Sequence, residues 1–169
     1  AGLNCERAVL VPGGLREAAA LAGAIAGEGD PAVPLGGVEL RGLTALAESW
    51  TENELDQLIL GGVTPLEERG GTVSVVRAVT TRTKTGDSPD AAWRELTTIR
   101  VVDEVIPTLR AALRARFARA KNTPQGRQAI RSQVIVELEA MAAREIITGY
   151  DAVTVSPLDR DPAVCLVEF

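Results

Sequence analysis

The sequence predicts an α+β fold, and three observations carry the prediction. Two long stretches repeat apolar residues at helical spacing, a run rich in β-branched residues precedes them, and two short apolar runs separated by a turn close the chain. Helices packed on a mainly antiparallel sheet, preceded by a partial α/β unit, is the expected architecture. Residues 1–42 read as the end of an α/β domain and residues 43–169 as the α+β domain.

Taken in order, Arg7 to Val11 is a short apolar run broken by Pro12-Gly13-Gly14, and the Ala-rich segment Leu15 to Ala26 favours helix. One strand, turn and helix cannot bury both faces of a parallel strand, so this unit is expected to continue a larger layer upstream. Gly27 to Gly42, dense in Gly and Pro, is expected to be an irregular connection. Thr51 and Glu54 have the spacing of a capping box ahead of Leu55, Leu58, Ile59 and Leu60, and Gly61-Gly62 stops that helix. Thr72 to Thr81, opened by Gly70-Gly71, predicts a strand.

A polar loop from Thr83 to Ala91 leads into the longest expected helix, whose stripe is Ile99, Val102, Ile106, Leu109, Leu113 and Phe117. Pro107 lies inside the pattern and is expected to kink or restart it, because it has no N–H and crowds the preceding turn. Thr123 followed by Pro124 marks the start of a further helix with Ile130, Val134, Leu138, Met141 and Ile146 along one face. Beyond Gly149, Ala152 to Val155 and Val164 to Phe169 are expected strands around a turn at Ser156 to Pro162. The last strand stops without a polar tail, which predicts further sheet downstream and truncation at both ends.

Composition narrows the function classes. The chain has 169 residues, 46% of them hydrophobic, and a formal net charge of -5, so no global positive field gathers nucleic acid. The longest apolar stretch, Ala18 to Ala26, is too short for a membrane span. Histidine is absent, which removes the commonest general base, the usual activator of Ser or Cys nucleophiles and a frequent metal ligand. The expectation is a protein that is not an enzyme. Cys5 and Cys165 are expected as buried thiols, in keeping with synthesis in a reducing compartment.

Sites that could carry chemistry are weak. The Gly13-Gly14 turn ahead of a helix could hold an anion, but it lacks the dinucleotide and P-loop signatures. Glu67 with Glu68, and Asp87 with Asp90, read as solvated turn residues. Ser74, Ser88, Ser132 and Ser156 have no His to activate them, and Lys84 and Lys121 sit in polar loops. A small ligand- or anion-binding module is the main alternative, and an enzyme working with carboxylates alone ranks behind it. One asymmetry stands out: Arg110, Arg114, Arg116, Arg119, Lys121, Arg127 and Arg131 gather positive charge on two successive helices of an acidic chain. With aromatic residues at 3%, these arginines have no interleaved stacking platform for single-stranded nucleic acid.

From Gly62-Val63-Thr64-Pro65, through the run Gly70 to Thr83 with its Arg82-Thr83 step, to Trp93 through Asp103 at the start of the long helix, the sequence resembles the C-terminal region of phage tail sheath proteins. The resemblance covers most of the chain from Leu43 onward, and it makes the earlier strand and helix similar to the end of the family's preceding subtilisin-like domain. It implies a structural role without a cofactor: six-fold rings of copies around an inner tube, interlocked by strand exchange, that contract to drive the tube through a cell envelope. The implied partners are further copies of the chain, the inner tube protein, the baseplate and the tail terminator. The implied place is the tail sheath of a virion, tailocin or injection system, made in the bacterial host cytoplasm. Since the family's C-terminal domain faces the tube, commonly through complementary charge, Arg110, Arg114, Arg119, Arg127 and Arg131 become tube-contact candidates. Val164, Leu166 and Phe169 become candidates for the exchanged strand.

Overall fold

The computed structural model describes residues 3–169 and confirms an α+β fold of four helices and three antiparallel strand pairs. Backbone contacts divide the chain into two compact units, residues 1–100 and 101–169, each with its own core. The boundary expected after residue 42 lies inside the first unit, where Leu21, Leu35 and Leu40 share a cluster with Leu43, Leu66, Val73 and Val75.

In the first unit, α1 (Leu15–Gly27) and α2 (Glu52–Leu60) form where helix propensity and the Thr51/Glu54 spacing place them. Glu54 Oε2 accepts from both the amide and the hydroxyl of Thr51, at 2.8 Å each. Leu60 departs from the expected apolar stripe and is 57% exposed, because Ile59 already occupies the buried side at the end of the helix. Gly27 to Gly42 is irregular, as expected, and Arg100 ties it down by donating to the carbonyls of Glu28, Asp30 and Val33. The Glu28 carbonyl lies at the C-cap of α1, where a cation is favoured, and the other two belong to the irregular segment beyond it.

The expected strand Thr72 to Thr81 is regular only at its start. β1 (Leu66–Arg69) and β2 (Thr72–Val75) form a hairpin whose turn glycines, Gly70 and Gly71, both have positive φ, the geometry of a two-residue turn matched to strand twist. Beyond Val75 the backbone changes partners: Val76 donates to Pro65, Thr80 to Arg94 and Thr81 to Ala8. No ladder persists over several residues, so the run stays extended without continuing as a strand. The same accounting corrects Arg7 to Val11, which makes a single parallel bridge, Leu10 to Val63, and is no strand. β3 (Lys84–Thr85) and β4 (Ser88–Pro89) pair within the expected polar loop.

Two buried details explain the Gly-Val-Thr-Pro segment. A Cβ on Gly62, whose φ is +76°, would stand 2.9 Å from the Thr80 carbonyl oxygen, so only glycine lets the two backbones meet. The fully buried Thr64 hydroxyl accepts from the Val79 amide and donates to the Val79 carbonyl, at 2.9 Å each, replacing a missing backbone partner.

α3 (Leu96–Phe117) runs from the first unit into the second and contains Pro107 without interruption, so the expected restart is absent. Its buried edge also differs slightly from the expected stripe, since Val105 is buried while Val102 and Ile106 are half-buried. In the second unit, α4 (Pro124–Ala143) starts with the Thr123 hydroxyl accepting from the Gly126 amide at 3.1 Å. Ile130, Val134, Leu138 and Met141 are buried along it, and Ile146 joins them from beyond the helix end.

β5 (Thr154–Leu158) and β6 (Asp161–Glu168) then form an antiparallel hairpin with a tighter turn than expected, because Ser156, Pro157 and Leu158 pair with Leu166, Cys165 and Asp161 instead of looping, with a register shift between Pro157 and Leu158. Cys5 and Cys165 are half-buried free thiols, not fully buried ones. Cys165 lies at a polar margin and donates to Asn122 Oδ1 at 3.2 Å, while Cys5 falls outside any strand.

Candidate functional site

The second unit gathers most of the residues that the sequence singles out. Arg110 and Arg114 lie one turn apart on α3, exposed, and border a cavity of about 360 Å³ whose apolar lining includes Ile106, Leu113, Val167 and Phe169. Leu166 also borders it, so two arginines and two strand candidates meet at one place. Val164 stays outside the cavity on the same strand and is 45% exposed. Cys165 and Val167 pack towards the core cluster at alternate positions, which turns Val164 and Leu166 outward by the two-residue period of a strand. Among the described residues β6 pairs with β5 alone, leaving its second edge open.

The remaining arginines divide into two groups. Arg116 Nη1 donates to Gln133 Oε1 at 2.6 Å, Arg127 Nη1 to Asn122 Oδ1 at 2.9 Å, and Arg131 Nε to the Val153 carbonyl at 2.8 Å. These three guanidinium groups join the elements of the unit to one another. Arg119 instead lies exposed on the connection between α3 and α4, beside the equally exposed Lys121. No ion pair of Arg110, Arg114, Arg119 or Lys121 occurs among the described residues.

In the first unit the residues behind the chemical alternatives are mostly engaged with neighbouring groups. At the Gly13-Gly14 turn, Glu17 Oε2 accepts from the Gly14 amide at 2.8 Å, so the protein's own carboxylate stands where an anion would bind. Hydrogen bonds from the Glu17 and Gly14 amides hold that carboxyl below its usual range. Glu67 pairs with Arg69 at 2.8 Å, and Glu68 accepts from the Gly71 amide at 3.0 Å. Asp90 is bound by the Thr85 hydroxyl and the Trp93 amide, while Asp87 sits on the exposed β3–β4 turn. Glu67 and Glu68 both border a cavity of about 280 Å³, each already engaged as above, and among the described residues no group of His, Cys, Asp or Glu could hold a metal ion.

One cluster escapes sequence reasoning. Arg82 donates to Glu6 at 2.8 Å and to the Thr85 hydroxyl at 3.0 Å, lies 3.4 Å from Asp90, and stacks 5.7 Å from the centre of the Trp93 ring. It clasps the segment before Arg7 to the β3–β4 hairpin, with Asn4 Oδ1 accepting from the Thr83 and Lys84 amides beside it. The Thr85 hydroxyl first, then the Trp93 amide, lower the Asp90 carboxyl from its ordinary range. The only sequence signal is the Arg-Thr step itself, and nothing in it indicates a partner 76 residues away.

Residues 88–169 match the family model described as the phage tail sheath C-terminal domain. Over these residues the chain is similar to the phage tail sheath family. Solved sheath tail proteins have the same fold: that of Desulfitobacterium hafniense matches with a TM-score of 0.69 and 18% identity over 81% of this chain and 33% of its own. The protein of Listeria innocua matches with a TM-score of 0.71 and 19% identity over 87% of this chain and 36% of its own. A chain of the anti-feeding prophage baseplate, solved with six-fold symmetry, gives a TM-score of 0.63 and 16% identity over 83% of this chain and 38% of its own. This chain spans about a third of the length of the structures it matches. Comparison with curated protein sequences finds no match. No helix among the described residues of the chain is long and apolar enough to cross a membrane.

Proposed function

We propose that this chain is part of a contractile tail sheath subunit, whose copies assemble as six-fold rings around an inner tube and contract to drive it through a cell envelope. The observation that carries the reading is the open edge of β6, with Val164, Leu166 and Phe169 exposed at 45%, 39% and 49%. A two-stranded hairpin is marginal alone and gains from a third strand, and an edge that would invite aggregation becomes a joint when a neighbour supplies that strand. The six-fold symmetry of the anti-feeding prophage baseplate supports the ring arrangement. Residues 1–42 are the end of a preceding subtilisin-like domain in this reading, and residues 43–169 the C-terminal sheath domain.

Arg110 and Arg114 are the foremost tube contacts, since both are exposed and no ion pair of either occurs among the described residues, with Arg127 and Arg131, bonded to Asn122 and the Val153 carbonyl, as further candidates. Exposed pairs contribute about 0–1 kcal/mol each, so many weak contacts hold the tube and yet part together on contraction. Baseplate and terminator cap the polymer, which is made in the bacterial host cytoplasm and resides in the tail. Electron microscopy of the full-length sheath protein, with and without its tube protein, tests the reading. Hollow six-fold tubes are expected; monomers under every condition would overturn it. Arg110→Glu with Arg114→Glu is expected to abolish co-sedimentation with tube while leaving the fold intact, and unchanged co-sedimentation would remove the arginines from the contact.

A further inference from the structure

We propose that the turn between α3 and α4, with Arg119 and Lys121 at its tip, seats in an apolar-floored groove on the first unit of a second copy of this chain. The groove consists of two adjoining cavities of about 390 and 280 Å³ that share Leu46, Glu48, Trp50 and Leu66. Leu46, Leu66 and the half-buried Trp50 form its floor, and Glu48 and Glu52 stand on its rim. Glu67 on the same rim is taken up by Arg69, whereas no partner of Glu48 or Glu52 occurs among the described residues.

Charge complementarity identifies the occupant. Residues 42–68 carry six carboxylates and neither Lys nor Arg, while residues 105–136 carry seven cations and no carboxylate. Apart from the Glu67–Arg69 pair, each block lacks its counterion locally, and the chain itself supplies both halves. Within the basic block, Arg116, Arg127 and Arg131 are spent on internal hydrogen bonds, and Arg110 and Arg114 border the separate cavity beside β6. Arg119 and Lys121 remain, on a short connection braced by the Lys121 carbonyl accepting from the Thr123 amide at 2.9 Å and by Asn122 donating to the Pro162 carbonyl.

A braced, convex, cationic turn matches a concave acidic groove. The indole face of Trp50 adds cation–π attraction, and the apolar floor strengthens each ion pair by excluding water. A contact between different surfaces of two copies is head-to-tail, the type that generates rings and helical polymers. The inference rests on the self-assembly part of the proposed function and is independent of the tube.

The test uses the full-length sheath protein, as an equal mixture of unlabelled and ¹⁵N-labelled copies, treated with a carbodiimide that joins lysines to carboxylates in direct contact. Cross-linked peptides joining Lys121 to Glu48 or Glu52, with mixed isotopes, are expected. Arg119→Glu with Lys121→Glu is expected to weaken self-association in sedimentation by about tenfold, and Glu48→Lys with Glu52→Lys on the same chain to restore it. Absence of the cross-link, cross-links confined to single-isotope pairs, or association unchanged by the reversal would each overturn the inference. Sheath tubes that form normally from the reversed protein would sink this contact while leaving the sheath reading in place.

Discussion

The two units of the chain treat charge in opposite ways. In the first, arginines meet carboxylates or carbonyls at close range: Arg69 with Glu67, Arg77 with Glu95, Arg82 with Glu6, and Arg100 on three main-chain oxygens. In the second, Arg116, Arg127 and Arg131 find neutral partners, Gln133, Asn122 and the Val153 carbonyl, and among the described residues no partner of Arg110, Arg114 or Arg119 occurs. Hydrogen bonds to neutral acceptors orient a guanidinium without cancelling its charge. These arginines of the first unit hold it together, whereas the second unit leaves arginine charge uncancelled. That difference separates the two units more sharply than fold class does.

The largest effect that would break this comparison lies at Thr64. Thr64→Val leaves the buried Val79 amide and carbonyl without their partner, and unsatisfied buried groups cost on the order of 1–3 kcal/mol. Denaturant unfolding followed by Trp50 and Trp93 fluorescence should show the loss; an unchanged midpoint would mean that another group takes over the bonds.

A smaller effect is expected from acid. Glu6 and Asp90 both titrate below their ordinary values, Glu6 chiefly through a backbone hydrogen bond and then Arg82, Asp90 chiefly through Thr85. A carboxyl whose folded value is depressed stabilises the fold above its unfolded value, and that contribution disappears as pH falls through the folded one. Hydrogen exchange of the Thr83, Lys84 and Trp93 amides should thus accelerate, relative to its intrinsic rate, below about pH 4, where carboxylates begin to protonate. In the second unit, Arg131 and Arg127 bond groups that do not titrate in this range, so Gly126 and Arg127 should keep their protection.

The smallest effect sharpens the contrast from the other side. Arg110→Gln with Arg114→Gln should move the unfolding free energy by less than about 0.5 kcal/mol, as for exposed residues without partners. A larger loss would place these arginines in the framework.

Local signals made much of the fold legible. The Thr123-Pro124 start, the periodicity of Ile130 to Met141 and the Thr51/Glu54 capping box each depend on residues a few positions apart, and each appears where the pattern puts it. The failures share one cause. Arg7 to Val11 and the second half of Thr72 to Thr81 have strand composition, but a strand needs a partner over several consecutive residues, and that partner is chosen by the tertiary fold. Pro107 passes through α3 because a long helix with a packed face tolerates one missing donor. For the candidate surface, the charge cluster was visible as composition, whereas the division between engaged Arg116, Arg127 and Arg131 and unpaired Arg110, Arg114 and Arg119 was not.

By itself the amino-acid sequence determined the α+β class, the helix starts, the absence of a histidine-based site and the basic block on two helices, because these follow from composition and short-range spacing. Only the tertiary structure decided that Glu17 fills the glycine turn, that Arg82 reaches Glu6, and that Leu166 and Phe169 meet Arg110 and Arg114 around one cavity. Those contacts join residues far apart in the chain, and the free energy that selects them comes from packing and hydrogen-bond satisfaction, which no local pattern encodes.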